Sequence, residues 1–257
     1  MDTLSKKEIA LIQALYTRHG RKKFPYCIVE GVRSCSEFFA RVPEMALFSV
    51  ADSAAAAENA GAKGDVRIIP ESLFSKISGT VNSQGILIVS ELPPTPSENE
   101  LNKDDFILAL DKVGDPGNFG TICRTAKAAG LTEIWYTKGS VDPFSDKVIR
   151  SAMTAQFLLK MRVFETLADL RDAAAKQGFT NVCLTKPGKG ASCFTAEGMF
   201  DKSVVVIGSE GHGVSDLDDS IDVQIPMPGN FESLNAAQAA TIMIFEYVRR
   251  KESNLKL

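Results

Sequence analysis

The sequence predicts an α/β protein of two domains, and three observations carry that reading. Apolar runs of strand length alternate with amphipathic stretches along nearly the whole chain, the pattern of strands interleaved with helices. Later runs such as "SVVVI" at 203–207 are apolar without interruption, as expected of a parallel sheet covered on both faces. Residues 91–104, "ELPPTPSENELNKD", are rich in Pro, Ser, Glu and Asn without apolar periodicity and read as a linker, with the boundary near Glu98. The expected division is a first domain at 1–92, a linker at 93–104 and a second domain at 105–257. At 257 residues, 44% hydrophobic and 24% charged, the chain suits one large or two ordinary globular domains.

In order, "CIVEG", "SEFFAR", "ALFSV", "SAAAAENAG", "VRIIP", "ESLFSKI" and "GILIVSEL" make a small α/β unit. The alternation resumes with "FILALDKV", a helix from Asn118 to Ala129 ended by Gly130, "LTEIWYT", and a helix near "SDKVIRSAMTAQF". It continues with "TLADLRDAAAKQG", "NVCLT", "SVVVIGSE", "VQIPM" and a long final helix. Three polar, glycine-rich stretches of the second domain, "DKVGDPGNFG", "GSEGHGVS" and "PMPGNFESLN", directly follow strands. Ligands of open α/β sheets bind there, outside the strand carboxyl ends.

Exclusion narrows the ligand. "VGDPGNFG" spaces its glycines as G-x-x-G-x-x-G, which is not the dinucleotide fingerprint, and no triphosphate-binding G-x-x-x-x-G-K-[ST] loop occurs. Ser233 and Asn235 stand before a run of alanines, where one polar residue would cap the helix. Two of them leave one polar group for a ligand. Asn118 stands where a second helix cap is expected, with Arg124 six residues on.

Five cysteines, Cys27, Cys35, Cys123, Cys183 and Cys193, form no Cys-x-x-Cys pair, and only His19 and His212 could join them, so neither a disulfide framework nor a metal is expected. No run of about 18 apolar residues exists to span a membrane, and "MDTLSKKEIALIQ" lacks the apolar core of a signal peptide. A cytoplasmic protein is expected. The net charge of −3 is uneven: residues 1–90 hold 11 Lys/Arg against 9 Asp/Glu. "YTRHGRKKF" places Arg18, Arg21, Lys22 and Lys23 among aromatic residues, with Arg33 beyond. Phosphate contact and a plain solvated loop both fit such a cluster.

"DPGNFGTICRTAKAAG" at 115–130, "VVVIGSEGHGVS" at 204–215 and "IPMPGNFESLNAAQAA" at 225–240 resemble the three successive motifs of the SpoU (TrmH) branch of the SPOUT RNA methyltransferases. "RHGRKKFPYCIVEGVRSCSEFF" resembles the L30e-like substrate-binding domain of ribosomal-RNA members. The resemblance implies a parallel-sheet domain with a deep C-terminal trefoil knot, where sequence pattern alone gives an unknotted doubly wound sheet. It also implies a homodimer acting on RNA, ribosomal RNA above transfer RNA, with S-adenosylmethionine as cofactor and no metal.

By the same resemblance Asn118, Arg124, Glu210, Ser233 and Asn235 are the catalytic set. Leu184, Thr185, Gly208, Glu210, Gly211, Ile225, Met227, Ser233 and Leu234 hold the cofactor, and Arg18, Arg21, Lys22, Lys23, Arg33, Arg124 and Arg150 meet RNA. The reaction is methyl transfer to a ribose 2′-hydroxyl. A guanidinium stays protonated in proteins, so Arg124 is better read as stabilising the developing alkoxide than as the base. His212 is the alternative proton acceptor, although a solvent-facing loop residue is the simpler account. Three positions depart from the family pattern: Ala152 and Thr154 in "VIRSAMTAQF", and Gln238 in "NAAQAA". The second function class is a catalytically inactive RNA- or ribosome-binding factor on the same fold.

Overall fold

Two β-sheets organise the chain, each with its own core; the computed structural model describes residues 4–97, 99–229 and 232–255. Glu98, where the sequence places the boundary, lies outside the described residues. The first unit comprises residues 1–94 and 142–157, and the second 95–141 and 158–257.

The first unit opens with α1 (Lys6–Leu15), started by a capping box in which the Ser5 hydroxyl accepts the Glu8 N–H and the Glu8 carboxylate accepts the Ser5 N–H. α2 (Arg18–Lys23) follows, capped by Thr17. Then come β1 (Tyr26–Glu30), α3 (Val32–Arg41), β2 (Ala46–Ala51), α4 (Ala54–Asn59), β3 (Val66–Ile68), α5 (Glu71–Ile77) and β4 (Ile86–Glu91). The sheet order is β1-β4-β2-β3, with β4 antiparallel to both neighbours and β2–β3 parallel. Ile12, Leu15, Ile28, Val50, Phe74 and Leu87 form its core.

The second unit begins with β5 (Phe106–Asp111), α6 (Pro116–Ala128) and β6 (Glu133–Thr137). α7 (Asp146–Ala152) groups with the first unit, so 142–157 departs from the continuous second domain that the sequence suggests. α7 also stops early, because Met153 and Thr154 have φ of 50° and 63°. A threonine there is an outlier, since its β-branch crowds the left-handed backbone. β7 (Lys160–Phe164), α8 (Leu167–Lys176), β8 (Asn181–Thr185), β9 (Ala191–Ser192), β10 (Ser203–Gly208), β11 (Ile221–Gln224) and α9 (Ala236–Leu255) complete the chain.

Seven strands run parallel in the order β7-β6-β5-β10-β8-β11-β9. β5 and β10, side by side, are the centre and are buried almost throughout, which explains their apolar runs. Residues 95–104 are not a free tether. Arg162 donates to the carbonyls of Ser97 and Glu100 at 2.7 and 2.6 Å, and the Asn102 N–H donates to Gln177 Oε1 at 2.8 Å. Arg162 also pairs with buried Glu133, so its guanidinium fixes this segment onto β7 and β6. All five cysteines are free and buried, as small apolar residues.

Candidate active site

Three loops leave the carboxyl ends of β5, β10 and β11 on one edge of the parallel sheet, where such sheets bind ligands. The first leads into α6. Its N-cap is Asp115, whose Oδ1 accepts the Asn118 N–H at 2.7 Å, and Pro116 takes the first helical position. Asn118 is therefore not the cap that the sequence suggests. Asp-Pro supplies a capping oxygen followed by a preset φ, which starts the helix three residues earlier. With its backbone committed to the helix, the Asn118 side chain is left for other partners.

The second loop closes tightly on itself, with Ser209 and Gly213 exchanging backbone hydrogen bonds at 2.9 and 3.1 Å. Gly208 is required there: a Cβ would lie 2.2 Å from the Gly213 carbonyl carbon. This turn presents the exposed Glu210 carboxylate. His212 is exposed on the same turn.

The third loop ends at Asn235, which does two jobs. Its Oδ1 accepts the Ala237 and Gln238 N–H groups at 3.0 and 3.4 Å, capping α9, while its Nδ2 donates to Asn118 Oδ1 at 2.9 Å and Glu210 Oε1 at 3.0 Å. Asn118 Nδ2 donates to the same Glu210 oxygen. One residue from each loop thus meets in a closed triangle of side chains. Capping and site formation are both true of Asn235.

Beside the triangle lies a cavity of about 210 Å³. Of the expected cofactor residues, Thr185, Gly208, Glu210, Ile225, Met227, Ser233 and Leu234 line it. Leu184 does not: it faces the core, as strand alternation demands of the neighbour of Thr185. Gly211 stays outside the wall, on the exposed turn. Sequence reasoning missed Lys186, Pro187, Ile207, Ser209, Gly213, Val223, Ala236, Ala239 and Met243. The spacing of Ala236, Ala239 and Met243 marks one helix face and was the available signal. Asp222, 3.1 Å from Lys186, holds that ammonium above the usual lysine range.

Ile207, Val223, Ile225, Met227, Leu234 and Met243 give the cavity apolar walls, with Thr185, Lys186, Ser209, Glu210 and Ser233 as polar residues of its lining. An aromatic base attached to a short charged chain suits such a lining. No group of acidic, cysteine or histidine side chains that could hold a metal occurs among the described residues.

Arg124 does not join the triangle. It is exposed on α6, and six residues from Asn118 place it about 9 Å along the helix and about 120° around it. The basic residues of the first unit also divide. Arg18, Lys22, Lys23 and Arg33 are exposed. Arg21 is not available to RNA: its side chain is 10% exposed, Nε pairs with Asp142 at 2.6 Å and Nη1 donates to the Leu15 carbonyl at 3.0 Å. Arg150 pairs with Asp146 one turn back at 2.9 Å.

Two family models match the chain, the SpoU rRNA methylase family over residues 105–245 and the MRM3-like substrate binding domain over 6–88. The chain is 32% identical to the 23S rRNA (guanosine(2553)-2′-O)-methyltransferase RlmP of Bacillus subtilis, over 69% of this chain and 70% of that protein. It is 30% identical to the 23S rRNA (guanosine-2′-O-)-methyltransferase RlmB of Xanthomonas campestris, over 76% and 82%. A putative RNA methyltransferase of the TrmH family from Porphyromonas gingivalis superposes with a TM-score of 0.82 at 30% identity, covering 97% and 100% of the two chains. The AdoMet-bound rRNA methyltransferase from Sinorhizobium meliloti superposes at 0.80 with 25% identity, covering 98% and 97%. The family models and these relatives, together with three loops that converge at a cavity on the strand carboxyl ends, define the class as a methyltransferase of RNA. The chain belongs to the SpoU rRNA methylase family.

Proposed function

We propose that this protein transfers a methyl group from S-adenosylmethionine to a ribose 2′-hydroxyl of ribosomal RNA, in the cytoplasm. The observation that carries the reading is the Asn118–Glu210–Asn235 triangle at the cavity formed by the motif loops. The family's knot is part of the same reading. Ile225, Met227, Ser233 and Leu234 hold the cofactor, which when bound supplies an electrophilic methyl carbon. Glu210, ordered by two side-chain amides, sets the position of the second loop against α6. Arg124 stabilises the alkoxide that develops as the hydroxyl proton leaves to water or a neighbouring phosphate, and anchors the adjacent phosphate. The first unit, with Arg18, Lys22, Lys23 and Arg33 exposed, grips the RNA.

The resemblance to the family further implies a homodimer in which residues near the subunit interface complete each site, and the exposed Arg124, about a third of a turn from Asn118, is the candidate to reach a partner's site. Arg124→Ala should leave cofactor affinity by isothermal titration nearly unchanged and slow single-turnover methylation at least roughly 100-fold. An Arg124→Ala chain mixed with an Asn118→Ala chain should regain part of the activity if the two residues act across subunits. Wild-type rates in Arg124→Ala would sink its assignment. Absence of any S-adenosylmethionine binding would favour the inactive RNA-binding factor. Comparing 2′-O-methyl maps of RNA from wild-type and deletion strains identifies the nucleotide and separates ribosomal from transfer RNA.

A further inference from the structure

Behind the triangle, and outside the cavity wall, four residues close a second ring. Asp111, the last residue of β5, is 1% exposed. Its Oδ1 accepts the Thr137 hydroxyl at 2.7 Å and its Oδ2 accepts the Ser215 N–H at 2.7 Å. The Thr137 hydroxyl accepts the Lys112 N–H at 3.0 Å, and Lys112 Nζ donates to the Ser215 hydroxyl at 2.9 Å. The ring therefore joins the ends of β5 and β6 to the point where the Glu210 loop returns to the body of the unit.

This arrangement carries two costs that a plain strand-to-helix connection does not need. Lys112 holds φ at 53°, a conformation that strains a residue with a side chain by about 1 kcal/mol. Asp111 takes a carboxylate out of water, which is unfavourable unless hydrogen bonds replace those to solvent. What the ring secures is geometric. The first loop leaves it at Lys112 and delivers Asn118; the second delivers Glu210 and re-enters it at Ser215. Asn118 and Glu210 are thus fixed from both sides, by their own hydrogen bond in front and by Asp111 behind.

We infer that Asp111 is a positioning residue for methyl transfer, acting through Glu210 by bonding the end of the Glu210 loop to the start of the Asn118 loop. This rests on the proposed function, because it needs Glu210 to matter for turnover. Misplacing a reacting assembly by about 1 Å can slow a reaction up to about 100-fold without unfolding the protein.

The test uses the full chain, tritiated S-adenosylmethionine and total RNA from a strain lacking the gene. Asp111→Asn replaces one acceptor by a donor, and Thr137→Val removes, at nearly constant shape, the hydroxyl whose bond to Oδ1 turns Oδ2 toward the Ser215 N–H; if Asp111→Asn does not fold, Thr137→Val still tests the orientation of Asp111. Asp111→Asn and Thr137→Val should each lower kcat about 10-fold, with KM for RNA and cofactor affinity each within about threefold of wild type. In a Glu210→Gln background either substitution should add less than about a twofold loss, since all act on one element. An undiminished kcat in folded Asp111→Asn, or in Thr137→Val where Asp111→Asn does not fold, or an equal loss in both backgrounds, overturns the inference. Wild-type turnover in Glu210→Gln alone overturns the reading of the site itself, a result that the double-variant comparison keeps apart from failure of Asp111.

Discussion

Two glutamates at loop clusters, Glu30 in the first unit and Glu210 in the second, solve different problems with similar bonds. Glu30 ends β1 at 1% exposure and accepts the Tyr16 hydroxyl at 2.6 Å, the Thr80 hydroxyl at 2.9 Å, the Gly79 N–H at 3.2 Å and the Ser78 hydroxyl. Burial, and then Glu30 itself, push the Tyr16 phenol well above its ordinary range, so it remains a donor. Gly79 closes the cluster, because a Cβ there would lie 2.2 Å from the Tyr16 ring. Glu210 is exposed, accepts, among the described residues, from the amides of two asparagines, and lines a cavity. A carboxylate saturated by donors and sealed from water holds a fold together. One that is ordered but left open can act on a ligand.

The comparison breaks first at Glu30. Glu30→Ala leaves four donors inside the unit without their acceptor, and should lower unfolding free energy in urea by about 3 kcal/mol or more. Glu210→Gln should leave stability within about 0.5 kcal/mol while slowing methylation about 100-fold, because only the ordered site loses its charge. The reverse pattern, a stability loss at Glu210 and a rate loss in folded Glu30→Ala protein, would end the distinction.

Acid sharpens it next. The Arg67 hydrogen bond lowers Glu8 in the first unit to about 2, and hydrogen bonds from Arg249 and then Arg250 lower Glu246 in the second to about 2. A carboxyl depressed in the folded state contributes stability that is fully present above its unfolded value, about 4.3, and is lost as pH falls toward 2. Urea midpoints should therefore decline between about pH 4.5 and 2, and Glu8→Gln and Glu246→Gln should each flatten that decline. The Glu246 effect should be the larger, since its side chain is 4% exposed against 26% for Glu8.

The smallest expected effect concerns RNA binding by the first unit. Replacing Arg18, Lys22 and Lys23 by alanine should make the salt slope of log K shallower by about 0.7 for each single-stranded phosphate that the variant no longer neutralises, with cofactor binding unchanged. Arg21→Ala belongs to the other side of the comparison. It removes the partner of Asp142 and should appear in stability before it appears in the salt slope.

Local chemistry explains what the sequence makes legible. Pro226, Pro228 and Gly208 announce rigid or narrow loops, the apolar run of β10 announces a covered parallel strand, and the three motifs place Asn118, Glu210 and Asn235 within one family pattern. Pairings across long separations were not visible. Nothing near Arg21 shows that Asp142, 121 residues on, will take its charge, and nothing in "PPTPSENE" shows that Arg162 will bind the carbonyls of Ser97 and Glu100. The choice of Asp115 over Asn118 as the cap was legible in Asp-Pro-Gly, but both residues are good caps and position alone decides. β9 has only two residues, too few for any period to register.

Asn235 gives the long last helix a direct hand in when the enzyme stops working. The same amide that caps the start of α9 on one side completes the triangle on the other, so fraying of the first helical turn and opening of the triangle are one event. Helix ends loosen at temperatures where cores stay intact. On the proposed function, activity on warming should therefore be lost with a single turn of helix, ahead of the melting of either sheet.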